Sequence, residues 1–449
     1  MKRIVIIGGN AAGPGAAAKA RRVDPMAEIT LFEKGNFIST GTCELPYILS
    51  GEIKDYKDVV FYTPESFYEE KKVKVYTKHF VEQIDRRNKK ISVKNRETDS
   101  SFEFNYDKLV IASGSTAKQH PAFVKNYNNV FYLKSVDDYL RIKNYLDNNT
   151  VNNVLIIGAG YIGIETAEAF KILGKQVTVI DKAAHPFPGM DSELKALTAE
   201  ILSANGIEFK GGISELAVFE NNGTVTKVKY DSVAYEYDLV LIAAGFSPNS
   251  QLAAGARLEI GRWGGIKVDS KLRTNDQDIY AAGDCIEVQN FITGKYEFMP
   301  FATLAHAYGH TAGANAAGDN LFISPVIRNT AVKIFDKVLV SVGLTSAEAE
   351  SMAFRFSAVT AVMPNLVKVM PTSSKIFGKI IFDKGSRRIL GAQFLGGSEA
   401  VGYGDLISSL IYQKADGTVL SRFNYNYTPP SSPFVNILSV LGRKIEGVK

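Results

Sequence analysis

Cysteine is scarce in this chain: Cys43 and Cys285 are the two thiols among 449 residues. Two thiols cannot form the disulfide framework of a small secreted protein, so we expect a reducing, cytoplasmic compartment. No apolar run is long enough to span a bilayer, and no basic block concentrates the net charge of +5. We therefore expect neither a membrane nor a nucleic acid as a partner, and the sequence predicts no metal site.

The rest of the composition is that of an ordinary folded protein. Apolar residues make up 45% of the chain and charged residues 22%. A chain of 449 residues exceeds a single hydrophobic core, so two or three domains are expected. The mild positive balance favours an anionic substrate.

A glycine-rich turn lies near the start of the chain. Residues 4–7 are typical of a buried strand, residues 8–13 form the turn, and an alanine-rich helix follows through Arg22. Backbone N–H groups at such a helix N-terminus can bind a pyrophosphate, and Glu33 after the next strand can accept from a ribose hydroxyl. Asn10 replaces the middle glycine of the usual pattern. The residues expected to contact this first dinucleotide are Gly8, Asn10, Ala12, Gly13, Glu33 and Lys34.

The same construction recurs at residue 154. Strand 154–157 leads into a second glycine turn at 158–163, and strand 177–180 ends on Asp181. A single glycine turn can be explained by close packing of a strand on a helix alone. Two turns with both acids in register indicate two dinucleotide sites. Two nucleotide cofactors beside one candidate thiol imply redox chemistry on sulfur.

Two similar strands suggest that one domain is inserted into another. Residues 106–115 and 237–245 are near copies that end in small residues, and we expect the chain to cross between domains there. Residues 279–284 then return to the first domain and end in a Gly-Asp pair. Asp284 is predicted to face the ribityl and phosphate region of a flavin nucleotide, the alternative being an ordinary helix cap. The further cofactor contacts expected here are Ser113, Gly114, Gly245, Gly283 and Asp284.

The pattern changes beyond Pro325. Amphipathic strands at 331–335 and 379–382 and a helix near 405–413 predict a third, α+β domain that covers the others or dimerises. Residues 428–433 contain three prolines and are expected to follow one extended path. That path is either a plain linker or a rigid arm that delivers Tyr427 to a site.

Cys43 is the candidate redox thiol. Pro46 is typical of the first turn of a helix, which would place Cys43 near a helix N-terminus and lower its pKa from about 8.5 toward neutrality. The alternative for an isolated cysteine is a buried core residue. Cys285, next to the Gly-Asp pair, is expected to be a small packed side chain.

These features resemble the pyridine-nucleotide disulfide oxidoreductases along essentially the whole chain. The resemblance implies two Rossmann-like domains, an FAD-binding domain (1–115 and 246–322) with an inserted NAD(P)H-binding domain (116–245), and a dimerisation domain (325–449), hence a homodimer. A lone Cys43 indicates the single-cysteine branch of the family. The run Cys43-Glu44-Leu45-Pro46-Tyr47 is similar to the Cys-Gly-Leu-Pro-Tyr of coenzyme A disulfide and persulfide reductases.

The same resemblance assigns roles in a substrate site. Arg22, Ser39 and Tyr427 match positions that the coenzyme A branch uses, and Tyr427 would join Cys43 in catalysis. Two departures leave coenzyme A open as the substrate: His310 stands where an arginine is common, and residues 368–371 lack a tyrosine. Glu44 replaces a glycine of the branch and is expected to alter access to the thiol. Asn10 stands where related peroxidases and oxidases usually carry a histidine.

For the second nucleotide, the resemblance implies that Tyr161 covers the nicotinamide side of the flavin and that Glu165 orients the nicotinamide. Asp181 favours NADH because a carboxylate repels a 2'-phosphate, while Lys182 leaves NADPH possible. The residues expected to bind it are Gly158, Gly160, Tyr161, Ile162, Gly163, Glu165 and Asp181.

The expected function is an FAD-dependent NAD(P)H oxidoreductase that reduces a small disulfide, persulfide or polysulfide, most like coenzyme A disulfide or persulfide, through Cys43. One alternative is an NADH oxidase or peroxidase in which Cys43 cycles through sulfenic acid. The other is a redox sensor that binds FAD and NADH without efficient turnover.

Overall fold

A parallel five-stranded sheet carries the first glycine turn in the computed structural model, which describes residues 1–448. Its strands are, in spatial order, Ile279–Ala281, Lys108–Ile111, Arg3–Ile7, Glu28–Phe32 and Lys74–Tyr76. Their inner residues are buried apolar side chains because both faces of a parallel sheet are covered. Strand Ile279–Ala281 pairs with Lys108–Ile111, so the chain leaves this sheet and returns to it.

A second parallel sheet is built between those two points of the chain. Its spatial order is Val130–Phe131, Leu239–Ile242, Asn153–Ile157, Gln176–Asp181 and Ile207–Gly211. The strands of the two near copies, Lys108–Ile111 and Leu239–Ile242, lie in different sheets, and the short strands that follow them, Ser115–Ala117 and Phe246–Pro248, pair with each other in antiparallel fashion. The pairing supports the inserted arrangement, and the domain limits at 115, 245 and 322 stay predictions.

The two glycine turns have nearly the same geometry. Gly8 and Gly158 have φ of +108° and +111°, and a Cβ on them would lie 2.0 Å from the Ala112 carbonyl oxygen and 2.3 Å from that of Ala243. A side chain would therefore collide with backbone of the neighbouring strand, so glycine is required at both positions by packing alone.

The C-terminal part is an antiparallel five-stranded sheet with helices on it. The strand order is Asn329–Ile334, Lys337–Gly343, Ile389–Gly396, Lys375–Asp383 and Phe356–Pro364. Helices Glu399–Tyr412 and Ile437–Gly447 bury apolar faces in the core of this part. The predicted α+β class is thus confirmed, with elements longer than the sequence pattern indicated.

Two helices that pack beside the first sheet cross in close contact. Small residues meet where Ala12–Val23 packs on Ala302–Ala317: a Cβ on Gly309 would lie 2.2 Å from the Ala12 carbonyl oxygen, and one on Gly313 2.1 Å from that of Ala16. Backbone contact of this kind fixes the second helix against the first.

The remaining elements connect or cover the three sheets. The other helices are Leu45–Leu49, Pro64–Lys71, Val136–Asn148, Tyr161–Ile172, Ser192–Ala204, Gln251–Gly255 and Ser346–Ser351, with short 3-10 turns at Tyr56–Val59 and Gly417–Ser421. The small sheets contain Ile38–Thr40 with Val60–Tyr62, His79–Asp85 with Lys90–Asn95 and Ser101–Asn105, Ala217–Asn221 with Thr224–Tyr230 and Val233–Glu236, and Val288–Gln289 with Tyr296–Glu297.

The proline-rich segment after Tyr427 departs from the prediction. The Thr428 carbonyl oxygen accepts from the N–H groups of Ser431 and Ser432, at 3.0 and 2.9 Å. The segment is therefore a tight turn, and the expected extended path is wrong, because Pro429 favours the second position of a β-turn as much as it favours extended backbone. Among residues 1–448, no helix is long and apolar enough to cross a membrane.

Candidate active site

Three adjoining cavities join the predicted site residues. The nucleotide cavity, at the second glycine turn, has a volume of about 1000 Å³. The central cavity, at the first turn, has about 530 Å³, and the thiol cavity beyond it about 570 Å³. Ile162 lines both the nucleotide and the central cavity, and Cys43 lines both the central and the thiol cavity. The three spaces thus form one row.

The nucleotide cavity has an open middle position in its glycine turn. A Cβ on Gly160 would meet no atom within 4 Å, whereas one on Gly163 would lie 1.8 Å from the Gly158 carbonyl oxygen. Asp181 accepts from the backbone N–H groups of Ala159 and Ala183, each at 2.7 Å. The predicted residues that line this cavity are Gly158, Gly160, Tyr161, Ile162, Asp181 and Gly245.

The central cavity repeats this arrangement around Glu33. Its carboxylate accepts from the N–H groups of Gly9 at 2.6 Å and Gly35 at 2.7 Å. Gly13 lies behind the turn, where a Cβ would be 1.8 Å from the Gly8 carbonyl oxygen. The predicted residues that line this cavity are Gly8, Asn10, Ala12, Glu33, Lys34, Ser113, Gly114, Gly283 and Asp284.

Both cavities fit a dinucleotide at a helix N-terminus. The helices Ala12–Val23 and Tyr161–Ile172 have neither a side-chain cap nor an acid in the first turn. By contrast, the Val136–Asn148 helix is capped by Ser135 and has two aspartates in its first turn. Uncapped N–H groups that face a cavity are suited to bind a phosphate.

Asp284 does not cap a helix, since the next α-helix begins at Ala302. Its Oδ2 accepts from Ser115 Oγ at 2.7 Å and from Lys134 Nζ at 3.2 Å. Lys134 also lies 4.2 Å from the ring centroid of Phe246. No local pattern singled out Lys134 or Phe246, because each reaches the cavity only through the crossing of the domains.

The turn and the thiol are linked through Asn10. Its Oδ1 accepts from the Thr40 N–H at 3.1 Å, and Asn10 and Cys43 line the same two cavities. The Cys43 side chain is exposed to these cavities rather than packed in a core. The alternative of a buried structural cysteine is therefore wrong for Cys43.

The expected lowering of the Cys43 pKa is also wrong. Although the Cys43 side chain faces the cavities, their walls partly desolvate the thiol and raise its pKa, as do the negative charges of Glu44, Glu165 and Asp284, while Lys134 opposes them. The helix that follows, Leu45–Leu49, is little more than one turn, so its dipole is small. Partial burial and the adjacent Glu44 contribute most to this direction, and the distant Glu165 and Asp284 act in the same sense.

Cys285 has the packing role expected of it. Its side chain is 0% exposed, and Sγ lies 3.3 Å from the Ala282 carbonyl oxygen. Burial raises the pKa of its thiol to about 11, so Cys285 is a poor nucleophile.

Glu165 lies beneath the nucleotide turn without lining the nucleotide cavity. Tyr47 Oη donates to Glu165 Oε1 at 3.3 Å, and burial raises the pKa of Glu165 to about 7. The Tyr161 hydroxyl lies 2.9 Å from Thr330 Oγ1, within hydrogen-bond distance, so Tyr161 contacts the C-terminal part. The nicotinamide roles of Tyr161 and Glu165 stay predictions.

The thiol cavity collects the residues predicted to bind substrate, except one. Arg22 and Ser39 line it together with Cys43, and Ser39 has the left-handed φ of +50°. Tyr427 is 49% exposed, packs edge-on against Phe434 and does not line this cavity. Further residues of the lining that the sequence did not single out are Phe61, Phe67, Lys71 and His306.

Known proteins share this architecture. Residues 2–309 match the family described as pyridine nucleotide-disulphide oxidoreductase, and residues 330–421 match its dimerisation domain. An NADH oxidase from Methanocaldococcus jannaschii is 31% identical over 431 residues, 96% of this chain and 95% of the relative. An NAD(P)H coenzyme A polysulfide/persulfide reductase from Pyrococcus horikoshii is 30% identical over 99% of this chain and 98% of its own.

A solved structure has the same architecture. The NAD-dependent persulfide reductase from A. fulgidus is 31% identical, with a TM-score of 0.94 over 99% of this chain and 83% of that one. The resemblance found in the sequence is thereby confirmed, and with it the expectation of an oxidoreductase that uses FAD and NAD(H). The chain belongs to the pyridine nucleotide-disulphide oxidoreductase family.

Proposed function

We propose that this protein reduces a sulfur–sulfur bond with two electrons from NADH, passed through FAD to Cys43. The observation that carries the proposal is the row of cavities. Ile162 lines both the nucleotide and the central cavity, Cys43 lines both the central and the thiol cavity, and, among residues 1–448, the nucleotide and thiol cavities share no lining residue. A nicotinamide and a sulfur substrate can therefore approach opposite sides of one central group without meeting.

The central cavity would hold FAD. Gly8 and the uncapped helix N-terminus would receive the pyrophosphate, Glu33 the ribose, and Asp284 the ribityl region. The nucleotide cavity would hold NADH through Gly160 and Asp181. When bound, FAD supplies a carrier that takes a hydride and passes the electron pair to sulfur.

Cys43 would form the covalent link to the substrate. Its thiolate attacks one sulfur of a disulfide, a mixed disulfide forms, and the first thiol leaves. Two electrons then break the bond to Cys43 and release the second sulfur compound. In total, NADH, one proton and one disulfide give NAD⁺ and two thiols; with a persulfide the products are a thiol and hydrogen sulfide.

Coenzyme A disulfide or persulfide is the acceptor that we propose. Arg22 and Lys71 give the thiol cavity positive charge, and Phe61 and Phe67 give it apolar surface, as a nucleotide thiol requires. The relatives named for coenzyme A support this choice.

A cytoplasmic homodimer completes the proposal. The C-terminal part matches a dimerisation domain and exposes apolar side chains such as Val369 and Phe434. Tyr427, which does not line the thiol cavity of its own chain, would then serve the cavity of the partner.

An oxygen-reducing function is the second candidate, since a relative of 31% identity is named NADH oxidase. In that case Cys43 would alternate between thiol and sulfenic acid. Asn10 lines the central cavity, and an amide side chain does not supply the proton that peroxide cleavage needs.

Anaerobic NADH oxidation with a panel of acceptors tests the proposal. The panel contains coenzyme A disulfide, coenzyme A persulfide, polysulfide, glutathione disulfide and peroxide. Cys43→Ser should still let NADH bleach the bound FAD but should lose turnover with sulfur acceptors, because serine forms no mixed disulfide. Cys285→Ser is the matched control and should keep both. Full sulfur turnover in Cys43→Ser would exclude the reductase function, and turnover with oxygen or peroxide alone would favour the second candidate.

A further inference from the structure

Glu44 is the residue of the thiol segment that departs from the related reductases. It directly follows Cys43 and stands where their Cys-Gly-Leu-Pro-Tyr run has a glycine. Glu44 lies at the N-cap position of the Leu45–Leu49 helix, but its side chain forms no capping hydrogen bond there. The stability of this short helix therefore does not explain the carboxylate.

The carboxylate lies on the loop that carries the thiol. A Cβ on Gly41 would lie 2.5 Å from Glu44 Oε2, so the Glu44 side chain folds back over the loop at a residue without a side chain. The negative charge of Glu44 raises the pKa of the Cys43 thiol, so this charge acts at the sulfur. The loop thus presents a carboxylate next to a nucleophile.

Glu44 lies on the thiol-cavity side of Cys43. Cys43 lines both the central and the thiol cavity, whereas Glu44 lines the thiol cavity and not the central one. An acceptor that approaches Cys43 through the thiol cavity therefore meets this charge.

Glu44 carries the negative charge of this cavity. No other acidic side chain among residues 1–448 lines it. Lys71, the lysine of the lining, pairs with Glu70 rather than with Glu44. The other ionisable groups of the lining, besides Cys43, are Arg22, Tyr62, and His306 and His310, whose ring centroids lie 4.3 Å apart. The cavity therefore has its one carboxylate beside the reacting sulfur.

The charge on the reacting sulfur of an acceptor decides how strongly this carboxylate opposes it. When the Cys43 thiolate attacks an organic disulfide, one S–S bond forms and another breaks. A single negative charge passes to the leaving thiolate, which takes a proton from solvent. An inorganic polysulfide dianion or a persulfide anion brings further negative charge on the sulfurs that react. Like charges repel in a partly buried site, so Glu44 disfavours these charged acceptors.

We propose that Glu44 is a specificity-determining residue that selects acceptors whose reacting sulfurs are uncharged. The inference rests on the proposed function, because it takes the thiol cavity as the place where the acceptor enters. Of the acceptors considered above, it favours an organic disulfide over polysulfide and over a persulfide anion. A glycine at this position, as in the run of the related reductases, makes no such distinction.

Small disulfides that differ in charge test the proposal on the FAD-loaded protein with NADH. Cystamine is cationic, hydroxyethyl disulfide is neutral, and dithiodiglycolate is anionic near its sulfurs. Glu44→Gln should lower the ratio of kcat/KM for cystamine to that for dithiodiglycolate by about fivefold per unit charge beside the carboxylate, hence by about 25-fold. Turnover with polysulfide should rise relative to the neutral disulfide. A change in the thiol pKa affects all acceptors alike and so cancels in these ratios.

Two further variants separate charge from shape. Glu44→Asp keeps the negative charge and should keep most of the wild-type selectivity. Glu69→Gln removes an exposed carboxylate of the Pro64–Lys71 helix, outside the cavity lining, and should match the wild type. Equal ratios in the wild type and Glu44→Gln would overturn the proposal. So would an equal shift in Glu69→Gln, which would assign the effect to the net charge of the protein.

Alkylation of Cys43 in the reduced protein gives the same comparison without turnover. Iodoacetate and iodoacetamide modify the same thiol but differ in charge, and Cys285, which is 0% exposed, does not compete. Glu44→Gln should raise the ratio of the iodoacetate rate to the iodoacetamide rate by about fivefold. If the proposed function fails, NADH turnover is absent with every sulfur acceptor while this ratio still shifts. If the inference fails, sulfur acceptors are reduced through Cys43 and neither ratio shifts.

Discussion

Replacing Glu165 by glutamine tests the electrostatics beneath the nucleotide turn. Burial raises the pKa of Glu165 from 4.5 to about 7, with Glu168 adding to the shift. At 1.36 kcal/mol per pH unit, the difference corresponds to about 3 kcal/mol between the neutral and ionised side chain. Glutamine has the same shape and can still accept from Tyr47, but it cannot ionise.

The sign of the effect follows from the two pKa values. Below pH 4.5 the carboxyl is protonated in the folded and the unfolded chain alike, so its ionisation does not reduce the free energy of unfolding. Between pH 4.5 and 7 the unfolded chain loses the proton while the fold keeps it, so wild-type stability falls by about 3 kcal/mol. Above pH 7 this loss is constant. Glu165→Gln has no carboxyl group to ionise at this position, so its stability does not fall by this amount between pH 4.5 and 7.

The assay is thermal unfolding of the FAD-loaded proteins at pH 5 and pH 8, at one scan rate. At pH 8 the Tm of Glu165→Gln should exceed that of the wild type by roughly 3 °C if the whole chain unfolds together, and by more if the inserted domain unfolds alone. At pH 5 most of that difference should vanish. Glu200→Gln, an exposed acid on the Ser192–Ala204 helix, is the control and should show no pH-dependent difference. Equal pH profiles for Glu165→Gln and the wild type would refute the reasoning.

Three further outcomes are expected. The wild type should have a larger kcat/KM with NADH than with NADPH, and Asp181→Ser should reduce this difference. A tenfold wild-type preference for NADPH, about 1.4 kcal/mol, would contradict the role of Asp181. Glu44→Gln should lower the pKa of the Cys43 thiol and speed its alkylation by iodoacetamide at pH 7.5, and an unchanged rate would show that Glu44 does not act on the thiol. Gly160→Ala should keep the wild-type Tm but raise KM for NADH several-fold, whereas Gly163→Ala should lower the Tm or the yield of folded protein. A lower Tm in Gly160→Ala with an unchanged KM for NADH would show that the cofactor does not occupy the open space at Gly160.

Features that depend on local pattern could be predicted from the sequence. A strand, a glycine turn, a helix and an acid follow one another within about thirty residues, so both nucleotide units were recognisable. The return strand at 279–281 was recognisable too, because its Gly-Asp ending is a local signal. Tyr427 could be matched only by resemblance, and no described contact brings it to Cys43.

The features that could not be predicted depend on contacts between distant segments. The pKa of Cys43 is raised chiefly by burial and by Glu44, and the cavity walls that bury the thiol come from segments far apart in the chain, such as those of Asn10 and Lys134, so a local helix argument gave the wrong direction. The partners of Asp284 likewise come from two other segments. His310 was visible as a departure from the family, but its pairing with His306 became clear only when the helix was placed against Gly15.

The strand order of the first sheet has a consequence for biosynthesis. All five strands of the nucleotide sheet lie between residues 130 and 242, so that sheet can close as soon as this stretch has left the ribosome. The first strand of the first sheet, Arg3–Ile7, leaves the ribosome earlier, but this sheet lacks its edge strand until Ile279–Ala281 has been made. We therefore expect the inserted domain to fold first during translation, while the strands made earliest wait, with one edge unpaired, for the chain to return to them.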